Sequence, residues 1–439
     1  MRVIWRGAMG ALTVVVDAVR LFAAHWPALL TIFLAGHALR NAALWAGMEI
    51  SLSSPFLGAM LVPFAPLAAL TALILMLRSL AESLRNVDQA EMSPRPSEPG
   101  QSRRRMIIDN RLALLSSTLI PFLAVYAAQG YLARDRMKWI VETTSDDIFN
   151  RTNALAGTFT DGSRSSIVAD EYYWWVLGSA FALRWLVGRL HLADRNRGWG
   201  LFAAWLEVTW VTLFANRAGR WVNSVWDWVT TRSLVAWALD AWESVTSALG
   251  PIGAPLRAAA QWLTTLLGEL GGVILVPIAW LTVAAVVYGR TLPAQQGPGL
   301  VARVQRRLGP FPPLTRRWIV DWARTLESKF AGLYRGISLL ASAGLVPMLV
   351  FCLVFGLVGQ VELVGWQLVR WVTGPMALAD SSAVYPWLEI VPRALSMMAI
   401  VVLSAAAADR LIGAAHQRAN AVAEASVGQD EGVVRGTDR

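Results

Sequence analysis

A soluble globular fold is excluded first. Of 439 residues, 55% are hydrophobic and only 16% charged, and the mean hydropathy is positive, so polar groups are too few to cover a core facing water. The net charge of +9 sits in short stretches between apolar segments, which reads as anchoring to anionic headgroups and argues against nucleic-acid binding.

The single cysteine, Cys352, excludes a disulfide within the chain and a cysteine-based metal site. All but two of the 39 basic residues are arginine, the exceptions being Lys138 and Lys329, in a background rich in Ala, Leu, Val and Trp. That bias points to a GC-rich bacterial gene and to a bacterial inner membrane.

In chain order, residues 1–26 mix charges with an apolar face and end at Trp26-Pro27, which suits an amphipathic helix lying in the headgroup layer. Asp17 and Arg20 interrupt its apolar run, and no small-residue cleavage site follows. The segment is therefore expected to be retained and not removed as a signal peptide.

A membrane-crossing helix needs roughly 20 mainly apolar residues. Segments near 27–47, 55–79, 112–132, 173–191, 199–216, 270–289, 337–358 and 386–408 meet that requirement. The expected fold is an all-α integral membrane protein of about eight transmembrane helices, with amphipathic Trp-rich helices at the outer leaflet.

The organisation follows from these spans. Residues 27–85 form a transmembrane hairpin, and 86–111, rich in Pro, Ser and charge, form a disordered cytoplasmic linker. Residues 112–218 hold spans three to five with an acidic outer loop at 133–171; 219–268 hold the Trp-rich helices; 269–410 hold spans six to eight with a basic loop at 290–336; and 411–439 form a cytoplasmic tail.

The loop 290–336 carries Arg303, Arg306, Arg307, Arg316, Arg317 and Arg324 against few acids, which places it inside. Alternation then puts Arg103, Arg104 and Arg105 on the same side, the 133–171 loop outside and both ends of the chain in the cytoplasm.

Within 219–268, Arg220, Asn223, Ser224 and Asp227, then Asp240, Glu243, Ser244 and Ser247, form a polar stripe at helical spacing. Trp221, Trp228, Trp237 and Trp242 fill much of the remaining surface, and Gly250-Pro251 ends the pattern before a second amphipathic stretch begins near Leu256 and Trp262. Indole rings favour the membrane interface, so these residues read as an aromatic belt or as a platform for lipid or a partner.

Catalytic signatures are missing from the sequence. Neither lysine follows the glycines of a phosphate-binding loop, and His25, His37, His191 and His416 are dispersed without HExxH spacing. No GxSxG elbow and no GxGxxG motif after a strand occurs. No catalytic residue, cofactor or metal is expected on this evidence.

Charges within the apolar segments are the remaining candidates, because each costs on the order of 2.5–3.5 kcal/mol in a bilayer unless it finds a partner or a wet cavity. Arg184 and Glu207 are about equally far from the turn near residue 195, so an antiparallel hairpin brings them to one depth and pairs them. The pair reads either as glue between helices or as a proton- or substrate-coupling element.

His37, Arg40 and Asn41 share one helical face toward the outer end of the first span, and Glu362 and Glu389, near the outer ends of spans seven and eight, are placed to meet it. In the outer loop, Asp146 and Asp147 are the candidates for an acid acting on a lipid-linked substrate. A solvated acidic face is the plainer account of them.

Two functions are consistent with this sequence. One is a transport component, or a subunit of an envelope complex, that does not itself hydrolyse nucleotide, with Glu207 as its protonatable group. The other is a membrane-embedded glycosyl- or lipid-transferase using Asp146 or Asp147. The expected partners are membrane lipids and either a second protein or another copy of the chain.

Overall fold

The computed structural model describes residues 2–87, 119, 122–123, 125–126, 130–151, 173–190, 192, 197–248, 254–255, 257–259, 261–262, 265, 274, 276–288 and 345–436. The linker at 88–111, most of the third expected span, the acids Asp161, Asp170 and Glu171, and the basic loop 290–336 lie outside the described residues.

Every regular element among the described residues is helical. The helices are α1 (Arg2–Ile50), α2 (Pro55–Leu61), α3 (Phe64–Ala81), α4 (Tyr131–Asp146), α5 (Tyr173–Arg189), α6 (Arg197–Thr230), α7 (Ser233–Ala248), α8 (Val276–Tyr288), α9 (Leu345–Gly359), α10 (Val361–Thr373), α11 (Leu378–Leu388) and α12 (Ile390–Gly436). A π-helical turn, Asp147–Arg151, extends α4.

Among the described residues, four helical stretches are long and apolar enough to cross a membrane: Leu12–Ile50, Pro55–Ala81, Met348–Thr373 and Ala383–Ala414. The helices Gly198–Phe214 and Val276–Tyr288 are apolar but shorter.

Several expected boundaries move. The break at Trp26-Pro27 is not a helix end: α1 runs unbroken through Pro27, whose missing N–H costs one backbone bond while Thr31 Oγ1 donates to the Pro27 carbonyl at 2.8 Å. The seventh apolar stretch does not stop near 358, because α10 follows α9 with only Gln360 between them.

The boundary expected at 219 is likewise helical interior. Helix α6 carries the fifth apolar stretch straight into the first Trp-rich segment, and the chain turns at Thr231 and Arg232. At 1.5 Å per residue its 34 residues reach about 51 Å, well beyond a hydrocarbon core of roughly 30 Å. In the tail, the backbone stays helical to Gly436.

The chain divides into two compact units. The first comprises Met1–Ala38, Ala68–Phe122 and Pro277–Arg439. Here α1 approaches α3 where Gly36 faces Ala72, and Tyr288 at the end of α8 donates to the Leu77 carbonyl at 2.7 Å. Helix α12 packs against α9, α10 and α11, with Gly365 making room for Pro392.

Polar contacts close one end of that unit. Asp409 accepts from the Asn86 backbone N–H at 2.7 Å and from its side-chain amide at 3.1 Å. One residue on, Arg410 pairs with Asp17 at 2.6 Å.

The second unit comprises Leu39–Leu67 and Leu123–Val276. Helices α5 and α6 form a packed pair around Ala180, Val187, Ala203 and Leu206. A second cluster joins Leu44, Val62, Ala65 and Trp139. The break at Val62 and Pro63 ends α2, and the neighbouring Met60 carbonyl accepts from the Trp205 indole at 2.9 Å.

Candidate functional site

Among the described residues, a dense polar constellation lies in the second unit, where the last turns of α1 meet α4. Helix α4 starts at Gly130, whose φ of 73° lies in the left-handed region that glycine enters without strain. From there Leu132, Asp135, Trp139 and Thr143 recur at helical spacing and form the buried stripe of the helix.

Asp135 is only 1% exposed. One of its oxygens accepts from the Arg40 guanidinium, and the other accepts from the Tyr126 hydroxyl at 2.6 Å. A buried carboxylate without partners would cost several kcal/mol. Here both oxygens are satisfied and the charge is matched.

The next residue on α1 repeats the link. Lys138 Nζ donates to Asn41 Oδ1 at 2.8 Å and lies 3.7 Å from Glu142 one turn along α4. Trp139 then packs against Leu44. The order of contacts, 40 to 135, 41 to 138 and 44 to 139, shows that these stretches of α1 and α4 run in the same direction.

His37 takes a different role from its expected companions Arg40 and Asn41. Its ring stacks on Phe33 at 5.9 Å, within α1 itself. Glu389, between α11 and α12, pairs with Arg393 in the first turn of α12 at 2.7 Å.

Arg184 and Glu207 face each other in the α5–α6 pair. Arg184 Nε lies 2.5 Å from Glu207 Oε2, and Glu207 is 3% exposed. Two turns farther along, the Tyr173 hydroxyl donates to the Leu213 carbonyl, and Arg217 lies over the rings of Tyr173 and Trp174 at 4.9 and 5.7 Å.

The acids expected to form a solvated outer face are not all solvated. Asp135 and Asp147 are buried, Asp146 is half-buried, and the stretch 131–151 that contains them is helical. The physical reason is that α4 is amphipathic and its acids fall on both faces.

Trp221, Trp228, Trp237 and Trp242 are all exposed, Trp237 most of all at 70%. Arg232 lies 4.1 Å over the Trp228 ring and donates to the Trp228 carbonyl. Cys352 is buried and free. Among the described residues, no three His, Cys, Asp or Glu side chains converge in a way that would hold a metal ion.

In the sequence Arg40 and the acids of 133–171 stand far apart, and nothing in their spacing names Asp135 as the partner of Arg40. The usable signal was the period. Asp135 shares its stripe with Leu132 and Trp139, which marks it as inward-facing on a helix instead of solvated in a loop.

These observations define a class: a protein whose described residues are helical, with four helices among them long and apolar enough to cross a membrane, and with the buried carboxylates Asp135 and Glu207 each paired to an arginine. No protein-family model, curated protein or solved structure matches the chain.

Proposed function

We propose that this chain is a multi-pass protein of a bacterial inner membrane, with about eight spans and both ends in the cytoplasm, that serves as a transport component or as a subunit of an envelope complex. The observation that carries this reading is the uneven cover of its apolar helices. The most apolar windows of Pro55–Ala81 and Ala383–Ala414 are 61% and 67% buried within the chain, while those of Leu12–Ile50 and Met348–Thr373 are only 17% and 22% buried. Those uncovered flanks need lipid or another protein as neighbour.

The burial of Asp147 disfavours it as the acid of the transferase alternative, because an acid acting on a lipid-linked substrate has to reach it, which leaves that role to the half-buried Asp146. In a bilayer the Arg40–Asp135 and Arg184–Glu207 pairs offset the insertion cost of four charges.

Photo-crosslinking in native membranes tests the assembly. With a photoreactive residue at Leu39, Trp45, Leu353 or Leu357, all exposed, a subunit gives a protein adduct of one discrete mass from at least one position. Lipid adducts alone at all four positions would remove the assembly reading.

A further inference from the structure

In the first unit, an open groove of about 450 Å³ lies where α10 ends and α11 begins. Its wall is the stacked pair Trp366 and Tyr385, with ring centroids 4.9 Å apart and planes 16° from parallel. Gln367 and Arg370 line the same groove, and both are exposed. Trp366 and Arg370 are four residues apart and share a helix face.

The chain turns at Gly374, whose φ of 66° is again left-handed and whose N–H bonds back to the Arg370 carbonyl at 3.0 Å. The lining contains no carboxylate. Of the acids near it, Glu389 is held by Arg393 and Asp380, in the first turn of α11, is exposed and does not line the groove; among the described residues the Arg370 guanidinium makes no hydrogen bond or ion pair.

Depth narrows the choice of ligand. The apolar stretch Met348–Thr373 has 26 residues and reaches about 39 Å, which exceeds a hydrocarbon core of roughly 30 Å and brings its end to the headgroup layer. Trp371 and Trp387, 84% and 73% exposed, flank the groove as interfacial indoles do.

We propose that this groove binds the headgroup of an anionic phospholipid drawn from the surrounding bilayer. The phosphate takes the two-pronged guanidinium of Arg370, Gln367 adds an amide donor, and the Trp366–Tyr385 wall lies along the glycerol and upper acyl chain. Opposite charge and an apolar wall in one groove favour a lipid over a small soluble anion. The proposal rests on the bilayer location of this helix and does not depend on the transport reading.

Native mass spectrometry of the full chain in mild detergent tests it, with phosphatidylglycerol or phosphatidylcholine added. Wild type is expected to retain phosphatidylglycerol in preference to phosphatidylcholine. Arg370→Gln is expected to lose about tenfold in phosphatidylglycerol retention, as removal of a charge-assisted contact implies, while Arg370→Lys keeps part of it and Arg85→Gln, at an exposed arginine outside the groove, keeps all. Equal retention of both lipids, or unchanged retention in Arg370→Gln, overturns the proposal. Displacement of the lipid by millimolar glycerol phosphate overturns the choice of a bilayer lipid in favour of a free anion.

Discussion

Arg40 near the end of α1 and Asp135 in the first turns of α4 are joined between two helices that run in the same direction. The second oxygen of Asp135 is held by Tyr126, so removing any one partner leaves a buried group with unmet demand. Asp135→Asn should destabilise the protein by about 3–5 kcal/mol, because it strands the Arg40 charge. The double variant Arg40→Met/Asp135→Leu should recover much of that loss. Thermal unfolding in detergent, followed by the monodisperse fraction on size exclusion, measures both. A double variant no better than Asp135→Asn contradicts the account.

The Arg184–Glu207 pair separates a structural from a coupling role. Glu207→Gln alone should lower stability, since Arg184 loses its counter-charge at a site where Glu207 is almost wholly buried. Arg184→Gln/Glu207→Gln removes both charges and should return to within about 1 kcal/mol of wild type. The stable double variant then carries the functional test. A growth or transport defect at restored stability is the outcome a protonatable Glu207 requires, and wild-type behaviour removes that role.

The helical class and the four stretches apolar enough to cross a membrane were legible because apolar run length is a direct energetic requirement of a bilayer. The Arg184–Glu207 contact was legible too, since an antiparallel pair of helices with a short turn fixes which residues share a depth. Helix ends were not. Composition marks Pro27 and residue 219 as boundaries, yet one missing hydrogen bond in a helix as long as α1 is outweighed by the many on either side. The Arg40–Asp135 link stayed hidden for a different reason: the two residues are 95 positions apart, and only the packing of α4 on α1 brings them together.

Glycine controls a second approach in the same unit. A Cβ on Gly58 would lie 2.5 Å from the Gly47 carbonyl oxygen and from the Ser51 Cβ, and a Cβ on Gly47 would lie 2.9 Å from the Trp139 ring and 3.0 Å from the Gly58 carbonyl oxygen. Two of these neighbours are backbone atoms and cannot rotate away. Gly58→Ala and Gly47→Ala should each cost about 1–3 kcal/mol. Gly178→Ala, with nothing within 4 Å inside α5, should be neutral or stabilising by up to about 1 kcal/mol. Unfolding midpoints of the three variants make the comparison.

Orientation has the most direct test. Cys352 is the single cysteine, so Cys352→Ala provides a background free of thiols. Thr231→Cys places a thiol at the exposed turn between α6 and α7, while Leu300→Cys places one in the arginine-rich stretch before α9. Retention of positive charge in the cytoplasm puts residue 300 inside, and the parity of the intervening spans puts residue 231 outside. An impermeant maleimide added to intact cells should therefore label Thr231→Cys at once and Leu300→Cys only after permeabilisation. The reverse pattern inverts the whole assignment, and labelling of both from outside means that the number of crossings between them is even, which the proposed spans do not allow.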